Sequence, residues 1–287
     1  MSAPDVDDLT GTATTQHEWD GIVELDTPLP RWWLWTFYLT IIWGIGYTIF
    51  LPAWPLISGA TGGVLGYSSR GEVAAAIEAH AMGNAEISAR VATADFADIA
   101  KDADLDSFAR AGGAAIFRTY CSQCHGAGAA GVVGGYPNLL DDDWLWRGTP
   151  EAIATTIRHG IRWEDDDDTR YSQMPAFGRD EILSSDEIDV VADFVLSWSG
   201  KGAATEDGAL LYEENCAACH GEEGLGDPEQ GAPNLADAIW LYGGDRDAVL
   251  YSIYNARFGV MPAWNTRLTE AEIRQVTHYV HTLGGGE

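Results

Sequence analysis

Hydrophobic and polar positions divide the first third of the chain into distinct segments. Residues 1 to 30 are polar and acidic with little periodicity, so they predict a solvated, mostly disordered tail. From Trp32 to Phe50 no residue is charged, and about 20 apolar residues at a rise of about 1.5 Å cover the roughly 30 Å hydrocarbon core of a bilayer. With tryptophans at both ends, residues 31 to 56 are predicted to form a transmembrane anchor.

A helical pattern with interspersed charges follows the anchor. Residues 57 to 69 are rich in glycine and are expected to reach water. The alanine-rich stretch over residues 71 to 98 predicts one connecting helix, lying along the membrane or a partner. We therefore assign residues 57 to 104 to a linker that contains a helix.

The chain repeats itself from about residue 105 onward. In each copy an apolar stripe at helical spacing leads into a Cys-x-x-Cys-His string, and a Pro-Asn-Leu string, a Met-Pro-Ala string and a final helical pattern follow. The repeat predicts an all-α fold with two tandem domains, residues 105 to 200 and residues 201 to 287. Matching strings begin at Gly113 and Gly208, at Cys121 and Cys216, at Pro137 and Pro233, and at Met174 and Met261.

All four cysteines belong to the two Cys-x-x-Cys-His strings, which leaves none for a structural disulfide. Such a string attaches c-type haem: its thiols bond the porphyrin vinyl groups, and its histidine binds one axial face of the iron. A single zinc site would place the cysteine pairs closer together, and a thioredoxin-like motif would need a strand-helix-strand context. The sequence therefore predicts two haem c groups. They are held by Cys121, Cys124 and His125, and by Cys216, Cys219 and His220.

Low-spin haem iron needs a sixth ligand, and two methionines lie at matching places in the repeats. Met174 and Met261 each begin a short Met-Pro loop, so we predict both as axial ligands, while Met82 is expected to be ordinary packing. Chain order favours each methionine serving its own domain, although exchange between the repeats remains open. His159 precedes the acidic run over residues 164 to 168, and we expect it at the surface or beside a ligand rather than on iron. The other histidines receive no function: His17, His80, His278 and His281.

Composition narrows the choice of partners. The chain has 16 Lys+Arg against 44 Asp+Glu, a formal net charge of −28, so nucleic acid is excluded as a partner because phosphate binding needs a basic surface. The acidity fits either a basic partner protein or a saline environment. We find no nucleotide-binding or hydrolase motif, and expect electron transfer without bond chemistry in the chain itself.

Taken together, these residues resemble a known family, the dihaem, membrane-anchored subunit III of cbb3-type cytochrome c oxidases. The resemblance covers nearly the whole chain. It is carried by the two Cys-x-x-Cys-His domains and by four stretches: residues 20 to 22 (Asp-Gly-Ile), residues 28 to 38 (Pro-Leu-Pro-Arg-Trp-Trp-Leu-Trp-Thr-Phe-Tyr), residues 63 to 67 (Gly-Val-Leu-Gly-Tyr) and, in the first domain, residues 174 to 178 (Met-Pro-Ala-Phe-Gly).

The resemblance implies a respiratory role. Electrons would pass from a soluble or membrane-bound donor cytochrome c through two haems to a catalytic subunit that reduces oxygen to water, with a monohaem cytochrome subunit as a further partner. It also implies one pass through a bacterial inner membrane, with a cytoplasmic N-terminus and periplasmic haem domains. Two alternatives remain: the dihaem subunit of another membrane complex, and a dihaem peroxidase-like enzyme, which would need one displaceable axial ligand.

Overall fold

The computed structural model describes residues 5 to 286, which form two compact units that divide between Gly83 and Asn84. Most elements are helical, as predicted, and two small antiparallel sheets accompany them.

A β-hairpin opens the first unit. Strand β1 (Thr14–Trp19) pairs antiparallel with strand β2 (Ile22–Leu25). Asp20 and Gly21 join the strands with φ of 51° and 83°, and two consecutive positive φ values define the turn type that hairpins prefer at Asp-Gly. The prediction of a mostly disordered tail is therefore wrong for these residues, and its first four residues lie outside the described part of the chain.

One helix of the first unit has the length and composition of a membrane span. Helix α1 (Arg31–Phe50) follows Pro30, and none of its side chains is buried within the structure. It is the one candidate span found among the described residues. A two-residue hairpin, β3 (Pro55–Leu56) and β4 (Gly59–Ala60), and helix α2 (Ser69–Gly83) complete the unit.

The second unit begins with two short helices where one longer connecting helix was expected. Helix α3 (Ala85–Thr93) and helix α4 (Phe96–Lys101) pack against helix α5 (Ala103–Ile116). Their buried side chains form one apolar cluster: Val91, Phe96, Ile99, Leu105, Ala109 and Ala154. Much of the predicted linker thus belongs to a packed core.

The remaining helices of the second unit alternate with loops. Capping boxes start the last helix of both repeats, at Ser184 with Glu187 and at Thr269 with Glu272. The elements are a π-helical turn (Phe117–Cys121), α6 (Ser122–His125), α7 (Pro150–His159), α8 (Ser185–Ser197), α9 (Glu206–Asn215), α10 (Ala217–His220), α11 (Arg246–Asn255) and α12 (Glu270–His281).

The two repeats exchange their last helices in space. Helix α12 of the second repeat packs against α5 of the first, and α8 of the first packs against α9 of the second. Glycines permit both close approaches: a Cβ at Gly113 would overlap the carbonyl oxygen of Gln275, and a Cβ at Gly208 would lie 2.8 Å from Cβ of Phe194. The repeats follow one another along the chain, but the second unit packs as two halves, one around α5 and α12 and one around α8 and α9. Each half therefore contains elements of both repeats.

Candidate haem centres

The first Cys-x-x-Cys-His string lies at a junction between helices. Cys121 ends the π-helical turn that follows α5, while Cys124 and His125 belong to α6. Gly126 ends α6 with a φ of 78°, a conformation that favours glycine. One short helical turn therefore carries both thiols and the imidazole.

The second string repeats this local geometry. Cys216 immediately precedes α10, which carries Cys219 and His220. Gly221 ends that helix with a φ of 78°, the same value as at the first string. The sequence repeat is thus also a repeat of backbone conformation.

One hydrogen bond orients each histidine toward its own Pro-Asn-Leu loop. Nδ1 of His125 lies 3.1 Å from the carbonyl oxygen of Pro137, and Nδ1 of His220 lies 3.0 Å from that of Pro233. A carbonyl oxygen only accepts, so Nδ1 carries the proton and Nε2 keeps its lone pair. This arrangement is typical of histidines that bind metal through Nε2.

Burial shifts the ionisable groups of both strings in matching directions. Burial lowers the pKa of His125 and of His220, which favours the neutral imidazole that can bind iron. Burial also raises the pKa of Cys121 and of Cys216 to about 11, so both thiols are protonated at neutral pH.

Each predicted methionine ligand packs against the same apolar cluster as the first cysteine of the other repeat's string. Met261 and Cys121 pack against one apolar cluster, whose buried residues come mainly from α5, α7 and α12. Met174 and Cys216 pack against a second cluster, formed mainly by α8, α9 and α11. The structure thus contradicts the expectation that each methionine faces the string of its own domain, because the segments after α7 and α11 cross to the other half.

Matching backbone hydrogen bonds cross between the repeats. The Ile157 carbonyl near the end of α7 accepts from the N–H of Trp264 at 3.1 Å, and the Ile253 carbonyl near the end of α11 accepts from the N–H of Phe177 at 3.1 Å. Ile157 and Ile253 are equivalent in the repeat, as are Phe177 and Trp264. The exchange therefore satisfies helix-terminal carbonyls twice in the same way.

Additional contacts hold the Met261 loop. Ile161 and Met261 exchange two backbone hydrogen bonds, of 2.9 and 3.0 Å. Gly160 has a φ of 71°, and a Cβ there would overlap the Met261 carbonyl oxygen. The side chain of Arg162 donates from Nε to the carbonyl oxygen of Gly259 at 2.7 Å. These contacts fix the backbone around one predicted ligand.

His159 belongs to a hydrogen-bonded cluster beside this loop. Its Nδ1 lies 3.1 Å from Oδ1 of Asp166, while Oδ2 of Asp166 accepts from Nδ2 of Asn265 at 2.7 Å. The backbone N–H of Asp168 also donates to Asp166, at 2.9 Å. Ligand atoms of His159, Asp166 and Asp168 lie within 4.8 Å of one another, yet protein donors already use both Asp166 oxygens, so we regard the cluster as a brace.

A buried histidine on the last helix has a role that the sequence reasoning missed. His278 of α12 is 4% exposed, and its Nε2 lies 2.7 Å from Oδ1 of Asp106 on α5. Arg110 and His278 hydrogen-bond the Asp106 carboxylate and lower its pKa. This pair joins the two exchanged helices. A repeat comparison could not reveal it, because the partners come from different repeats.

The donor sets fit haem c. Each set combines two thiols three residues apart, a histidine with Nε2 available and a methionine thioether, and the methionine packs against the same apolar cluster as the first cysteine. Thiols for covalent attachment and a His/Met axial pair are the groups that c-type haem requires. The residues that would hold one group are Cys121, Cys124, His125 and Met261, and those for the other are Cys216, Cys219, His220 and Met174.

Comparison with known families accounts for most of the chain. Residues 11 to 58 match the family described as the N-terminal domain of cytochrome oxidase-cbb3, FixP. Residues 109 to 195 and 203 to 280 each match the family described as cytochrome C oxidase, cbb3-type, subunit III. The first match covers the β1–β2 hairpin and α1, and the other two cover the repeats.

The similar proteins match this chain along almost the whole length of both sequences. The Cbb3-type cytochrome c oxidase subunit CcoP of Cereibacter sphaeroides is 58% identical over 277 residues, covering 96% of this chain and 95% of the relative. A Cbb3-type cytochrome c oxidase subunit FixP from a Bradyrhizobium species is 50% identical over 287 residues, covering 99% and 98%. A CcoP from Rhodobacter capsulatus is 50% identical over 286 residues, covering 96% of both chains. The chain therefore belongs to the CcoP/FixP family, the subunit III family of cbb3-type cytochrome c oxidases.

Proposed function

We propose that this chain is a membrane-anchored dihaem cytochrome c that carries electrons from a donor cytochrome c to the catalytic subunit of a cbb3-type oxidase, where oxygen is reduced to water. The observation that carries the proposal is the pair of Cys-x-x-Cys-His strings, each sharing an apolar cluster with a methionine. The names of the relatives, which are cbb3-type oxidase subunits, support the assembly into such a complex. A monohaem cytochrome subunit is the further partner.

The proposed axial pairs are His125 with Met261 and His220 with Met174. The hydrogen bond from each Nδ1 to a proline carbonyl orients the imidazole and leaves Nε2 available to bind iron. Bound haem would supply one-electron chemistry at iron. The chain contributes fixed ligands and an apolar surrounding, and it performs no bond chemistry of its own.

The proposed topology places the N-terminus in the cytoplasm and both haem centres in the periplasm of a bacterial inner membrane. Helix α1 supports a single pass, and Arg31 supplies a positive charge at its cytoplasmic end. A reporter fused before Asp20 tests this orientation: it should be active only in a cytoplasmic assay. A reporter active only in the periplasm would contradict the orientation.

The electron-carrier proposal is tested on the full chain purified from membranes in mild detergent. Reduced donor cytochrome c should reduce two haems per chain, and both should be reoxidised when the catalytic subunit and oxygen are added. The reduced chain should not bind carbon monoxide, because methionine occupies each sixth position. Carbon monoxide binding at one haem would favour a peroxidase-like enzyme, and companion subunits of a dehydrogenase would favour a different membrane complex.

A further inference from the structure

Two arginines occupy equivalent positions in the repeats, next to the methionine loops. Arg170 lies four residues before Met174, and Arg257 lies four residues before Met261. The Arg-x-x-x-Met spacing therefore occurs twice, once in each segment that crosses between the two halves.

The first arginine packs against the half that contains Cys121. Its guanidinium carbon lies 5.1 Å from the ring centroid of Trp146, and its Nη2 donates to the carbonyl oxygen of Ala152 at 3.1 Å. Ala152 belongs to α7, the helix whose Ile153 and Ile157 line the cluster around Cys121. Arg170 thus lies beside the first predicted haem centre.

The second arginine makes the equivalent contacts in the half that contains Cys216. The guanidinium carbon of Arg257 lies 5.2 Å from the ring centroid of Tyr242, and Nη2 donates to the carbonyl oxygen of Ala248 at 2.9 Å. Tyr242 and Ala248 are the repeat equivalents of Trp146 and Ala152. The helix α11, which carries Ala248, lines the cluster around Cys216 through Val249 and Ile253.

Both arginines leave a buried donor without a partner. Nε of Arg170 and Nε of Arg257 are buried and donate to no protein acceptor, and the same holds for the indole Nε1 of Trp146. Among residues 5 to 286, no carboxylate forms an ion pair with either guanidinium. Arg162 differs, because its Nε donates to Gly259. A buried donor of a cation without an acceptor is costly, so these atoms indicate an anionic ligand.

We propose that Arg170 binds a propionate carboxylate of the haem at Cys121, and that Arg257 binds one of the haem at Cys216. The inference rests on the proposed attachment of haem to both strings. A carboxylate is the acceptor that a planar guanidinium binds best, and Nε1 of Trp146 is an additional donor at the first site. Each Arg-x-x-x-Met segment then contacts both haems. In the first segment, Arg170 binds a propionate of the haem at Cys121, while Met174 ligates the iron of the haem at Cys216.

The test measures the reduction potential of each haem in the full chain. A Cys121→Ala background leaves one thioether on the first haem and shifts its absorption, so the two haems can be titrated separately. Arg170→Gln should lower the potential of the shifted haem and leave the other unchanged, because a nearby cation stabilises the less positive ferrous state. Arg257→Gln should lower only the potential of the haem at Cys216.

Two further variants keep the result interpretable. Arg179→Gln removes an exposed arginine that pairs with Asp180, and it should change neither potential. Arg170→Lys keeps the charge without the planar fork, and should lower the first potential less than Arg170→Gln does. An unchanged first potential in Arg170→Gln, or a decrease at the haem of Cys216, would overturn the proposal. Failure of Cys121→Ala to produce one altered haem would instead count against the haem attachment itself.

Discussion

The exchanged methionines are the residues on which the electron-transfer proposal depends most directly. Met174 and Met261 are partly buried against different clusters, and each is separated along the chain from the string that it faces. A thioether raises the potential of haem iron relative to a second histidine. Replacing one methionine and observing which haem changes therefore tests the exchange seen in the fold.

We expect Met261→Ala to convert the haem at Cys121 to a high-spin form with a lowered potential, and to leave the haem at Cys216 unaltered. Met174→Ala should have the converse effect, since each change removes one sixth ligand but no thiol. Absorption spectra and redox titration of the chain carrying Cys121→Ala would assign the changes. Met82→Ala, at an exposed position of α2, is the control and should alter neither haem. A change confined to the haem of the methionine's own repeat would contradict the exchange.

The fold destabilises the charged form of the Asp143 carboxyl group. Burial raises the pKa of Asp143 to about 6, with further contributions from Asp237, Asp141 and Asp142. A pKa raised on folding means that the folded state binds more protons, so stability declines as pH rises from about 4 through 6.

Replacing this carboxyl should therefore stabilise the protein at neutral pH. Asp143→Asn is expected to raise the free energy of unfolding by about 1 kcal/mol above pH 6, less than the full shift would give because the group is partly exposed, and to have little effect near pH 4. Denaturant titrations of residues 84 to 287 across this pH range measure the difference. Asp142→Asn, at an exposed neighbouring position, is the matched control. A gain that is equal at pH 4 and pH 7 would contradict the assignment.

The close crossing of helices α5 and α12 stabilises the exchanged arrangement. Gly113→Ala should lower the free energy of unfolding by about 2 kcal/mol, because a Cβ would overlap the backbone of Gln275 and Cβ of Tyr279. Gly112→Ala is a matched control one residue away, where the nearest atoms are the movable amide of Gln275. Thermal unfolding followed by circular dichroism compares the two. Equal destabilisation by both changes would argue against a tight backbone crossing.

The elements show which parts of the fold were predictable from sequence. The strings and the capped last helices follow from local signals that occur in both repeats, and the membrane-span candidate follows from a local run of apolar residues. The exchange does not, because the last helices of the two repeats carry the same apolar pattern and either could pack on α5. Helices α8 and α9 are joined by a short connection, so they can pack against each other as neighbours in the chain. Apolar periodicity alone does not predict that α8 packs on α9 and not on α5. The β1–β2 hairpin did have a signal, the Asp20-Gly21 turn between strands.

The exchange makes residues 84 to 287 one compact unit that contains both candidate haem centres. His278 and Asp106 join α12 to α5, and Arg274 of α12 donates from Nε to the carbonyl oxygen of Val91 at 2.9 Å. Direct hydrogen bonds therefore join the last helix of the second repeat to the start of the first repeat and to helix α3, which precedes that repeat. The two matches to the subunit III family cover consecutive segments of the chain. The packing instead forms two halves, each of which contains elements of both repeats.

The acidity of the two repeats leads to a prediction about electron entry, because residues 107 to 287 carry 12 Lys+Arg against 29 Asp+Glu. A field of this sign attracts a basic donor cytochrome and accelerates the encounter, and salt weakens the attraction as the Debye length falls from about 10 Å at 0.1 M to about 3 Å at 1 M. We therefore expect the second-order rate of reduction by the native donor to fall as salt increases.

Stopped-flow reduction of the full chain in detergent across a salt series measures this rate. The charge has a competing explanation, solubility in a saline environment, under which the donor would be acidic too and the rate would be flat or would rise with salt. An uncharged small-molecule reductant provides the control, because its encounter is not steered and its rate should vary little. A donor rate that does not fall while the control stays constant would rule out steering, and would leave solubility as the reason for the acidic surface.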